Sequence, residues 1–192
     1  MVAALQMMLG SVFLKTLRDQ RRGLLWWCLG LTLLTGLLVA IYPSIQGIED
    51  MQRILEAYPE ELMALFGAID LLEITSLAGY LNAELFGFMA PFLFIIFAVA
   101  QGSFAVAGEE RAGTLELLLS APINKGQLIL EKFASMVTLT GVLAAVLWAV
   151  MPVGSLAADM DISMLRLAEM TISVSLLGLA FGSVAFAVGS AI

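Results

Sequence analysis

Four runs without a single Asp, Glu, Lys or Arg constrain this chain most: Leu24 to Ile41, Leu85 to Ala107, Phe133 to Ala158 and Met170 to Ile192, of 18, 23, 26 and 23 residues. A helix needs roughly 20 apolar residues, within a range of about 17 to 25, to cross the hydrocarbon core of a bilayer. Apolar side chains surround each run instead of following one stripe, as spans that face both lipid and neighbouring helices require. Strands of a membrane barrel would alternate polar and apolar residues, and these runs do not. Composition points the same way: 61% of the 192 residues are hydrophobic and 13% charged, about half the charged share of a soluble domain. The predicted fold class is all-α, a polytopic helical membrane protein with transmembrane helices at about 24–42, 85–107, 133–155 and 170–192.

Missing residue types narrow the chemistry. The chain has no His, which removes imidazole-ligated haem, His-containing zinc sites and every Ser-His or Cys-His catalytic pair. The single Cys28 can form no intrachain disulfide. Within the four runs Cys28 is the one ionisable side chain, so an intramembrane enzyme finds neither a nucleophile with its base nor paired acids. No charged ring or filter-like loop suggests a channel. The formal charge of −7 speaks against a nucleic-acid partner, but in a membrane protein the placement of each charge matters more than the sum.

Lys15, Arg18, Arg21 and Arg22 precede the first run. That run is too long for a signal peptide and lacks a small-x-small cleavage site, so it is expected to be a retained anchor. Residues 1–22 mix apolar side chains with these cations and are expected to form an amphipathic helix on the inner membrane surface, or else a basic flank that orients the first span. With four spans and a cytoplasmic N-terminus, the inside holds Lys15, Arg18, Arg21, Arg22, Arg111, Lys125 and Lys132 and the outside Arg53 and Arg166, seven against two. Counting the apolar segment 62–83 as a fifth span gives five against four and places Asp70 and Glu73 in the bilayer. The positive-inside rule and the cost of buried carboxylates both favour four spans.

Residues 43–84 then form an external loop that is acidic and long enough to be expected to carry short helices, one starting at Pro59-Glu60-Glu61. Its acidic face reads as a solvated surface more readily than as a site for a cationic substrate.

Between the second and third runs lies Gly108-Glu109-Glu110-Arg111-Ala112-Gly113-Thr114-Leu115-Glu116-Leu117-Leu118-Leu119-Ser120-Ala121-Pro122-Ile123-Asn124-Lys125. Gly113 can end one helix and Thr114 can cap the next, with Glu116 near its positive end. Leu115, Leu118 and Leu119 share a face, and Pro122 closes the helix after about two turns. Asn124 and Gln127 resemble a capping box that restarts the chain. The product is a stiff apolar knob at 108–126, which either lies in the membrane interface or docks in a partner's groove; periodicity does not choose between them.

The stretch Glu109 to Pro122 resembles the cytoplasmic signature of the type 2 (ABC-2) family of ABC transporter permeases, Glu-x-x-x-Gly-Thr followed by several Leu and a Pro. The order of parts agrees over nearly the whole chain, although only this loop is specific. The resemblance implies a membrane-spanning permease subunit, in a family of mostly exporters, not itself an enzyme. Glu110, Arg111, Gly113, Thr114, Leu115, Glu116, Leu118 and Pro122 would form the coupling-helix region on a cytoplasmic ATPase subunit. ATP and Mg would sit on that partner and no cofactor in this chain, which lacks a Gly-x-x-x-x-Gly-Lys-Ser/Thr loop. A second permease, identical or not, would complete the transporter in the plasma membrane, with lipid as its surroundings and a lipid-like, drug or antibiotic substrate. Tyr42-Pro43 and Gly79-Tyr80-Leu81-Asn82-Ala83-Glu84 look like subfamily features near the outer surface, without an assignable role. The family's bundle has six helices, so the charge-free end at Gly189-Ser190-Ala191-Ile192 leads us to expect two further helices beyond it, or a split permease. A small structural or assembly membrane protein without transport activity is the alternative.

Inside the spans, Gly178, Gly182, Ala185 and Gly189 recur at steps suited to close helix packing. Gln101, Ser103, Thr138 and Thr140 are polar side chains that could line a path, though hydrogen bonding between helices is the simpler role. Pro91 is expected to kink the second span. Trp26, Trp27, Tyr42 and Trp148 read as interface anchors.

Overall fold

The computed structural model describes residues 2–46, 77–111, 125–157 and 163–191. Among the described residues there is no strand. The helices are α1 (Val2–Gln46), α2 (Leu77–Leu81), a wide π-helical stretch (Asn82–Met89), α3 (Ala90–Arg111), α4 (Lys125–Ala157) and α5 (Met164–Ala191). α2, the π stretch and α3 follow one another without a gap and make one rod. Among the described residues four rods result, each long and apolar enough to cross a membrane: Val12–Ile41, Gly79–Ala105, Gly126–Pro152 and Met164–Ser190.

Every rod begins before its charge-free run, and the first two also end beyond it. Backbone hydrogen bonding is obligatory in lipid, so a helix continues until a breaker or water stops it, and charged side chains near its ends can reach outward. The second rod therefore takes in Gly79 to Glu84, expected in the external loop, and α5 takes in Arg166 and Glu169. From Val2 onward the amphipathic segment expected over 1–22 is helical but not separate: no Pro interrupts the chain there, and α1 runs through Gly23 unbroken. At 45 residues α1 is roughly 67 Å long, about twice the hydrocarbon thickness. Residues 47–76, with the helix start expected at Pro59, lie outside the described residues.

Packing does not follow chain order. α3 packs most extensively on α5, and α1 on α4, with α4 also touching α3 and α5. The core stripes are read off burial: Leu31, Thr35 and Leu38 on α1; Leu85 and Phe86 in the π stretch; Ala90, Phe94 and Phe97 on α3; Leu139, Leu143, Leu147 and Met151 on α4; Leu167, Thr171 and Val174 on α5. The opposite faces carry Trp26, Leu33, Leu130, Leu165 and Val184, all at least 64% exposed. A soluble monomer does not show apolar surface all round its helices, and lipid is the solvent that tolerates it.

The adjacent tryptophans separate on this basis. Trp27 turns inward and meets Phe97 edge to face, centroids 5.4 Å apart, whereas Trp26 is 73% exposed. Trp27 thus departs from the expected anchor role, because its helical position falls on the core stripe. Bromine-labelled acyl chains should quench Trp26 strongly and Trp27 weakly, measured on single-Trp variants in vesicles; equal quenching would contradict the inward packing. Trp148 aims its indole N–H at the Met164 carbonyl, a long contact of 3.5 Å between α4 and α5.

Pro91 acts on the helix by widening it. It has no N–H and its ring clashes with the preceding turn of an α-helix. The turn before it loosens accordingly, and the Ala90 N–H reaches the Leu85 carbonyl, five residues back. Where a kink was expected, the structure shows this π stretch.

Candidate functional site

The clearest built feature is the seam between α3 and α5. A Cβ placed on Gly178 would stand 2.9 Å from the Phe94 carbonyl oxygen, and one on Gly182 would stand 2.8 Å from the Ala98 Cβ. On the other side, a Cβ on Gly102 would collide with the Gly182 carbonyl. A Cβ on Gly189 would meet the Ser103 carbonyl at 3.4 Å. The two backbones therefore touch with nothing but hydrogen between them, and the contacts advance together, 94 with 178 and 98 with 182, so α3 and α5 run parallel. In lipid there is no hydrophobic drive to pair helices, and close van der Waals fit takes its place. Ala185 is half-buried beside this line, and Phe186 closes it by packing on Phe133 at 5.6 Å. Gly102 was not singled out from the sequence, although Ala98 and Gly102 stand four apart, the same small-residue spacing as Gly178 and Gly182.

The polar candidates are not gathered into one site. The hydroxyl of Thr138 donates to the Ala134 carbonyl at 2.8 Å, and that of the fully buried Thr140 to the Met136 carbonyl at 2.9 Å. Both donors are thus engaged within α4, neither bridging helices nor open to a path. Gln101 and Ser103 are half-buried on α3. No group of acids or Cys that could hold a metal ion occurs among the described residues.

A groove of about 310 Å³ opens on the flank of the bundle, lined by Trp26, Trp27, Gly30, Leu31 and Leu34 of α1, Leu93 of α3 and Leu143 of α4. Space stands open at Gly30, where a Cβ would meet nothing within 4 Å. Its lining suits a hydrocarbon chain or another apolar body and offers no charged group.

Of the expected coupling residues, Glu110 and Arg111 fall in the last turn of α3. Gly113, Thr114, Leu115, Glu116, Leu118 and Pro122 lie outside the described residues, as does Asn124, and α4 starts at the next residue, Lys125. What is described is the mounting: the loop joins α3, clamped to α5 by the glycine seam, to α4, which packs on α1. Residues 11–192 match the family described as ABC-2 family transporter protein. The chain belongs to that family. Comparison with curated proteins and with solved structures gave no match. Membership makes this ABC-2 protein a multi-pass, membrane-spanning permease subunit of an ABC transporter, a transport component.

Proposed function

We propose that this ABC-2 permease exports an apolar, lipid-like or drug-like substrate, driven by a separate cytoplasmic ATPase subunit that binds ATP and Mg and grips the loop 108–126. A second permease subunit completes the transporter in the plasma membrane. The observation that carries this reading is the family match over 11–192, which includes the signature-like loop at Glu109 to Pro122. The positive-inside count, seven cations against two, supports an N-terminus and loop in the cytoplasm. The mounting of the loop supports coupling: a push on it is delivered to α3 and α4 at once, and from them to α5 and α1, which is how rigid rods carry motion between distant sites. The apolar groove beside Gly30 supports an apolar substrate.

The test is affinity purification of the tagged permease from its native membrane in mild detergent, with ATPase activity assayed in the eluate. Recovery of an ATPase subunit whose hydrolysis rises with added apolar substrates is the expected result. An eluate without ATPase activity would leave the membrane bundle standing and favour the scaffold alternative.

A further inference from the structure

The α1 wall of the apolar groove is Trp26, Trp27, Gly30, Leu31 and Leu34. Gly23 stands seven residues before Gly30, two turns back on the same side of the helix. Both glycines are exposed. A Cβ on Gly30 would meet nothing within 4 Å, and one on Gly23 only the end of the Gln20 side chain, at 3.7 Å. The pair leaves a bare strip of α1 that leads from the groove back to the start of the charge-free run at Leu24.

The strip covers one half of a bilayer. As a helix the run Leu24 to Ile41 is about 27 Å long, close to the ~30 Å of hydrocarbon it has to cross. Gly23 therefore lies at the edge of the hydrocarbon, and Leu34, about 16 Å further along, near its middle. The edge on which the strip opens is basic: residues 15–22 hold Lys15, Arg18, Arg21 and Arg22 against the single acid Asp19. Arg22 is exposed, adjoins Gly23 and stands one turn before Trp26. Arg21, also exposed, falls on the side of the helix opposite Gly23. A guanidinium at this depth meets the phosphates of the headgroup layer and can hold one through paired N–H donors.

We propose that the groove, the glycine strip and Arg22 form a binding site for one anionic phospholipid. An acyl chain lies along Gly23, Gly30 and Leu34 and fills the groove, and the phosphate meets Arg22 at its mouth. The occupant is a lipid because the site is apolar over the depth of one leaflet and open toward the bilayer, with Trp26 73% exposed at its rim. It is anionic because four cations face one acid where the headgroup sits, and a basic pocket at a membrane surface selects negative headgroups. Binding requires neither transport nor an ATPase. That the leaflet is the cytoplasmic one rests on the orientation proposed above.

Trp26 lines the groove and reports what fills it. The full chain with Trp27→Phe and Trp148→Phe, leaving Trp26 as its single tryptophan, is reconstituted in phosphatidylcholine vesicles with a minority of phosphatidylglycerol. In one set the phosphatidylglycerol carries bromine-labelled acyl chains, and in the other an equal amount of the phosphatidylcholine does. The expected quenching corresponds to a roughly fivefold higher affinity for phosphatidylglycerol, about what one arginine at the surface contributes. Arg22→Gln should abolish the preference, and Arg21→Gln, which removes the same charge from the opposite side of α1, should leave it. Gly30→Leu should abolish it with Arg22 in place, because the side chain occupies the groove. None of these variants puts the fold at risk: both arginines are exposed, and a Cβ at Gly30 meets no atom. Equal quenching by the two lipids overturns the site. So does an equal loss in Arg21→Gln and Arg22→Gln, the mark of diffuse surface charge, and so does a preference that survives Gly30→Leu. If the preference stands and no ATPase co-purifies, the transport reading fails alone; if an ATPase co-purifies and the preference is absent, the lipid site fails alone.

Discussion

Gly182→Leu is expected to leave no monodisperse permease in detergent. The Cβ alone would lie 2.8 Å from the Ala98 Cβ and 2.9 Å from the Ala98 carbonyl oxygen. Overpacked cores usually cost about 1–3 kcal/mol because flexible side chains yield. Here one of the obstacles is backbone, and relief requires α5 to withdraw along its whole contact with α3, so the cost exceeds that range. The withdrawal would also undo the Gly178–Phe94 contact and the Gly102 crossing, because all three belong to one parallel pair. Size-exclusion profiles and unfolding midpoints check this, with Gly36→Leu and Gly141→Leu as comparisons. A Cβ at either of those glycines meets nothing within 4 Å, so both variants should elute as the parent protein does. A well-folded Gly182→Leu protein with an unchanged midpoint would show that the seam does not hold the bundle.

Leu118→Asp is expected to abolish recovery of the ATPase subunit while leaving membrane insertion intact. If the apolar face of the loop sits in a partner's groove, an aspartate there buries an unpaired carboxylate and removes an anchoring contact. A loss of roughly 3 kcal/mol corresponds to more than a hundredfold weaker association. The substitution lies between α3 and α4 and not within any described span, so the helices should form as before. Equal recovery of ATPase from wild type and variant would remove Leu118 from the interface.

These two predictions draw on different kinds of legibility. The family resemblance was readable in the loop because its motif is local: a Gly, a Thr, several leucines and a Pro follow each other within a few residues, while the fold of residues 112–124 lies outside the described residues. The seam was half readable. Gly178 and Gly182 stood out by spacing, but nothing near them names Ala98 and Gly102 as what they touch, since the match is made across some eighty residues of chain. Thr138 and Thr140 show the limit from the other side: two polar residues in a span suggest a path, yet a rotamer that closes on the preceding turn removes the donor from it.

What the sequence alone determined is the solvent and the four rods found among the described residues. Preference for lipid is a property of each side chain summed over about 20 residues, so charge-free runs mark the spans whatever their neighbours do. The inward turn of Trp27 beside an outward Trp26 was decided by tertiary structure. So was the pairing of α3 with α5 ahead of its chain neighbour α4. In lipid every helix is equally apolar, so partners are chosen by how closely two particular surfaces fit, and that fit belongs to neither surface alone.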